Sequence, residues 1–131
     1  MTRPSRVLIV EDQADIRSLI RVTLEFGDFE LHEADNGRDG LHLAMNLRPD
    51  IVLLDVMMPG ELDGSQVCRK IKAERSLALT RVVLLTARGQ QSDLEEGKRA
   101  GADRYLVKPF SPLELIDEID ALIAAPPAVV S

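Results

Sequence analysis

Five short apolar runs, each followed by a stretch of helical periodicity, narrow the folds open to this sequence. They are RVLIV (6–10), the more polar FELHEA (29–34), IVLLD (51–55), RVVLLT (81–86) and RYLVK (104–108). Short runs rich in Val, Ile and Leu read as strands covered on both faces. Between them, DIRSLIRVTLEFG (15–27) places Ile16, Leu19, Ile20 and Leu24 on one helical face, with Gly27 positioned to stop the helix. A second helix within 34–50 opens at Asn36-Gly37 and closes before Pro49, and a third covers 63–74. A weaker fourth, over 91–102, contains Gly97; a last one, over 111–125, has Ser111 as N-cap and Pro112 in its first turn.

Strand and helix alternating through short loops predict an α/β domain, a doubly wound five-stranded parallel sheet with five helices. The flavodoxin-like strand order 2-1-3-4-5 fits, because it places the polar run 29–34 at an edge. A length of 131 residues suits one domain; residues 1–125 are read as that domain and 126–131, Pro-led, as a flexible tail or the start of a linker. Hydrophobic residues make up 45% but aromatics only 3%, so the core must be aliphatic.

The charge balance argues against some partners. With 22 acids against 16 bases, the net charge of −6 repels phosphate backbones and anionic lipid, so direct nucleic-acid binding is not expected. No run is long enough to cross a membrane and the first residues lack a signal-peptide pattern, so a cytoplasmic location is expected. Cys68, the one cysteine, excludes an internal disulfide or a zinc cluster and reads as a small buried residue. His32 and His42 match no metal or relay spacing and read as surface residues.

In doubly wound sheets, ligands bind beyond the carboxyl ends of the strands, where the order reverses. Those ends carry Glu11-Asp12, Asp55, Thr86 and Lys108-Pro109. Three neighbouring carboxylates repel one another and call for a cation. An all-oxygen donor set suits a hard ion, Mg2+ first and Mn2+ also. With Lys108 and the Thr86 hydroxyl alongside, Asp55 could accept a phosphoryl group as an acyl phosphate.

At this point a family is recognisable. VLIVEDQ, ADNGRDGL, PDIVLLDVMMPG, DGSQVCRKIK, VVLLTA and AGADRYLVKPF stand in the order found in response-regulator receiver domains, which the chain resembles over almost its whole length. The resemblance implies that Asp55 takes a phosphoryl group from a histidine kinase or a histidine phosphotransfer protein. It implies Mg2+ coordination by Asp12, by Glu11 through water, by Asp55 and by the Met57 backbone carbonyl. Lys108, with a cis bond to Pro109, would contact the phosphoryl oxygens. Thr86 would hydrogen-bond them and couple to a rotation of Tyr105, so that the fourth helix, fifth strand and fifth helix switch conformation. Gly89, Gly97 and Gly101 mark the fourth-helix region as a soft element.

Met57 and Arg88 occupy the two positions that tune phosphoryl lifetime in the family, and neither can orient a water as an acid or amide would. Slow self-dephosphorylation is therefore expected. From Ser111 onward there is no Lys or Arg, while Glu114, Asp117, Glu118 and Asp120 are acidic. A dimer built on basic residues of the last helix is thus not expected. The loop after Asp55 has one residue more than the family's usual form: Gly60, Glu61 and Leu62 separate Met58-Pro59 from Asp63-Gly64.

Three other readings compete. An aspartate-nucleophile phosphatase of the haloacid dehalogenase type needs an Asp where Met57 stands. A flavodoxin needs a phosphate loop where Glu11-Asp12-Gln13 stands. A docking-only receiver has no use for the complete set of Asp55, Glu11, Asp12, Thr86 and Lys108.

Overall fold

The computed structural model describes residues 4–58, 60–87 and 91–124, with backbone alone at 91–93. Strands β1 (Ser5–Val10), β2 (Phe29–Ala34), β3 (Ile51–Asp55), β4 (Arg81–Ala87) and β5 (Arg104–Lys108) alternate with helices α1 (Ala14–Glu25), α2 (Gly37–Leu47), α3 (Gly64–Ala73), α4 (Gln91–Ala100) and α5 (Pro112–Ala124). The sheet order is β2-β1-β3-β4-β5, and every pairing is parallel. Both the strand order and the alternation agree with the sequence reading.

The apolar runs divide by parity between two cores, as the two-residue period of a strand requires. Leu8, Val10, Val52, Leu54, Val82 and Leu84 face Ala44 of α2, Val67, Cys68 and Ile71 of α3, and Ala100 of α4. Val7, Ile9, Ile51, Leu53, Val83 and Leu85 face Ile20 and Leu24 of α1 and Leu115, Ile119 and Leu122 of α5. Asp55, at the tip of the fully buried β3, is thus held by a strand with no freedom to slide.

Cap chemistry sets several boundaries. The Asp63 side chain accepts from the Gln66 N–H while Gln66 reaches back to the Asp63 N–H, a reciprocal box that starts α3. Ser111 and Glu114 form the same pair at α5, as the Ser-Pro signal predicts. Arg48, at φ 48°, closes α2 in the left-handed conformation, because the following Pro49 disfavours a further helical residue.

Two expectations need correction, one is sharpened, and one short element was missed. Gly27 stands just past the end of α1 as read, since α1 ends at Glu25 with Phe26 as its cap, but without left-handed backbone; it also admits the Phe29 ring, which a Cβ would approach to 2.5 Å. Leu19 lies at the margin of the α1 stripe and is 41% exposed, since the helix seats on the sheet through Ile20, Thr23 and Leu24. His32 is half-buried, its Nε2 2.8 Å from Glu30 Oε2. A short 3-10 turn, Arg75–Leu77, was not read from the sequence; it tucks Leu77 into the core.

Candidate functional site

The ends of β1, β3 and β5 bring together the charged residues singled out above. Glu11, fully buried, continues the line of β1, its N–H bonded to the Ala34 carbonyl at 3.1 Å. Asp55, only 3% exposed, closes β3 opposite Leu85 of β4. One carboxylate oxygen each from Glu11, Asp12 and Asp55 lies within 4.8 Å of the others. Lys108, the last residue of β5, reaches between them: its Nζ lies 2.6 Å from Glu11 Oε1 and 3.3 Å from Asp55 Oδ1. The Lys108-Pro109 bond is cis, as expected.

Packing dictates this arrangement at close range. A Cβ on Gly64 would stand 2.1 Å from the Asp55 carbonyl oxygen, so only glycine lets the start of α3 sit against the acceptor strand. The Gly64 N–H donates to the Val56 carbonyl at 2.9 Å, and the Val56 N–H to the Leu85 carbonyl at 3.1 Å. The Met57 N–H donates to Asp55 Oδ1 at 3.2 Å and fixes the carboxylate from the loop side.

Thr86 is buried, one step beyond the Leu85 that faces Asp55, and opposite Val107. Tyr105 is half-buried against the core on the α4 side. Met57 is 63% exposed beside the carboxylates, whereas Met58 is buried in the core. Arg88 and Gly89 lie outside the described residues. Glu118 of α5 is held within the chain by Arg104 of β5.

The electrostatics follow from burial. Asp55 is pushed up to about 8, first by burial and next by hydrogen bonding to Glu11 and by the Glu11 charge, against the opposing pull of Lys108. One lysine does not balance three acids. Among the described residues, no donor hydrogen-bonds the buried Asp12 Oδ1, an acceptor open to a cation. Three converging carboxylates, one with a buried oxygen that takes no donor among the described residues, fit a hard metal ion.

Two contributors escaped the sequence reading. The Gln13 N–H donates to Glu11 Oε2 at 3.2 Å. Arg17 Nη1 donates to the Glu11 backbone carbonyl at 2.8 Å. An arginine six residues after Glu11, one turn into α1, is a signal that apolar periodicity does not register. A surface hollow of about 580 Å³ between α1 and α2, lined in part by Arg17, Asp39 and His42, is lined by none of Glu11, Asp12, Asp55 and Lys108. The chemistry lies with the carboxylates.

Comparison with known proteins agrees with this geometry. Residues 7–120 match the family model of the response regulator receiver domain. The chain is 39% identical over 122 residues to the transcriptional regulatory protein ResD of Bacillus subtilis, covering 93% of this chain and 49% of ResD. It is 42% identical over 119 residues to SrrA of Staphylococcus aureus, covering 91% of this chain and 48% of SrrA. The chain therefore spans about half the length of these curated relatives. Among solved structures, the receiver domain of the Pseudomonas aeruginosa sensor histidine kinase PA1611, which holds a magnesium ion in its active-site cleft, superposes with a TM-score of 0.85 at 29% identity, covering 93% of this chain and 99% of that one. Family match, relatives and fold agree: this chain belongs to the response regulator receiver domains, the phosphoacceptor modules of two-component signalling.

Proposed function

We propose that Asp55 is the phosphoacceptor and that the domain catalyses its own phosphorylation. The observation that carries this is the placement of a buried strand-end carboxylate within reach of Lys108 and beside two further acids. An Asp55 Oδ attacks phosphorus and the P–N bond to a donor imidazole breaks. The bonding pair returns to the ring nitrogen, and an acyl phosphate remains on Asp55. The donor is a phosphohistidine on a histidine kinase or histidine phosphotransfer protein.

Glu11, Asp12, Asp55 and the Met57 carbonyl would hold Mg2+, with Mn2+ suited to the same oxygen donors. When bound, the ion neutralises acidic charge and polarises phosphoryl oxygens. Asp55 needs such help, since at about 8 its carboxyl is mostly protonated, and poorly nucleophilic, at neutral pH. Lys108 moves from its carboxylate partners to the incoming phosphoryl oxygens, and Thr86 donates its hydroxyl to them. The added charge shifts an equilibrium between two packings of α4, β5 and α5, with Tyr105 as the moving side chain.

The test is acetyl phosphate with MgCl2, read by intact mass. One phosphoryl adduct on the protein, absent from Asp55→Ala, is the expected result. No adduct on the unaltered protein would leave only a docking role.

A further inference from the structure

We infer that Arg17 is a positioning residue for the cation site, acting by clamping the peptide unit that joins the two acids Glu11 and Asp12. This rests on the reading that those acids hold a divalent ion. The carbonyl that accepts from Arg17 Nη1, at 2.8 Å, belongs to that same peptide unit. On its other side, the Glu11 N–H is tied to the Ala34 carbonyl at 3.1 Å. Glu11 is therefore held at both backbone polar groups, once by the sheet and once by a side chain.

Arg17 is itself held. Its Nε lies 3.5 Å from Glu33 Oε1 on β2, with the arginine side chain 23% exposed and that of Glu33 30%. The second oxygen of Glu33 takes Arg21 Nη1 at 2.6 Å. The guanidinium is thus fixed from β2 while it fixes the loop after β1. Without it, Asp12 could turn its carboxylate away from Glu11 and Asp55, and the donor set would have to be ordered at the moment of binding.

Charge alone predicts the opposite. Arg17 is a cation close to a cation site, so neutralising it should tighten metal binding if position plays no part. The sign of the change therefore separates the two effects. The experiment is isothermal titration of MgCl2 into the full chain and into Arg17→Gln, with melting of both in metal-free buffer to confirm the fold. A Kd at least about tenfold higher in Arg17→Gln is expected, the scale at which residues behind metal ligands act. An unchanged or tighter Kd overturns the assignment.

If Arg17→Gln does not fold, Glu33→Gln decides. It leaves Arg17 in place but without its partner, and a weaker Mg2+ Kd supports the clamp while an unchanged one overturns it. Arg21→Gln, which loses its contact with Glu33 but touches nothing on Glu11, should bind as the unaltered protein does. An unaltered protein that takes up no Mg2+ would overturn the cation-site reading itself, and the clamp with it.

Discussion

The ring of Tyr105 fills the space that a side chain on Gly97 would need: a Cβ there would stand 2.8 Å from Tyr105 Cε1 and 2.6 Å from Leu84 Cδ1. Gly97 thus serves close packing of α4 on β5, a role distinct from the softness its place in a helix suggests. Gly97→Ala sets a helix-propensity gain of up to about 1 kcal/mol against an overpacking cost of about 1–3 kcal/mol. The expected outcome is a net loss near 1 kcal/mol, with Tyr105 driven outward. Tyr105 is the only tyrosine and there is no tryptophan, so acrylamide quenching of intrinsic fluorescence reports its exposure directly. Unchanged quenching would show that the ring has not moved.

The buried acceptor makes metal-free stability depend on pH. Asp55 holds its proton up to about 8 in the folded protein, against 3.8 for an ordinary aspartate. Between these values the folded state binds more protons than the unfolded one, so stability falls as pH rises through that window. Asp55→Asn escapes the loss. It should melt with the unaltered protein near pH 4 and above it at pH 8, by at least about 3 °C for a difference of about 1 kcal/mol. Adding MgCl2 at pH 8 should narrow the gap. Thermal melts across the range check the sign, and parallel curves would refute it.

Lys108 separates phosphoryl transfer from cation binding. Its ammonium is 2.6 Å from Glu11 Oε1, so Lys108→Gln removes the one lysine contact shared by two of the acids. Labelling by acetyl phosphate should fall by about 100-fold, as for loss of a charge-stabilising donor. Mg2+ affinity, by titration calorimetry, should hold or rise, since a competing cation is gone.

Phosphoryl loss should be slow. The side chain nearest in sequence to the acceptor on the solvent side, Met57, is exposed and apolar, with nothing to orient an attacking water. Phosphorylated protein freed of acetyl phosphate should keep its adduct for minutes or longer, and Met57→Asn should shorten that by about tenfold or more. Phosphate release over time measures both; a lifetime of seconds in the unaltered protein would contradict this.

Strand order is readable in this sequence because buried parallel strands leave unbroken aliphatic runs, and their ends were marked by residues no core accepts: Glu11, Asp55 and Lys108. The polar run 29–34 declared itself an edge for the same reason. What escaped depends on how side chains and backbone meet in three dimensions, even between residues close in sequence. Phe29 over Gly27 and Tyr105 over Gly97 are packing relations, invisible to periodicity. Arg17 was hidden because a helical arginine has a bland surface role by default, and its hydrogen bond runs to a backbone carbonyl, which leaves no trace in residue types.

The bond from the Gly64 N–H to the Val56 carbonyl closes the segment between them into a ring whose neck is locked against Asp55. Leu62 packs on the core while Glu61 stays exposed. Lengthening such a closed loop by one residue costs only about 0.1 kcal/mol of closure entropy. The acceptor's address in space is therefore insulated from the length of the segment that follows it. The rim beside the reaction centre can gain or lose residues, and vary in what it shows to other molecules, without disturbing the chemistry beneath.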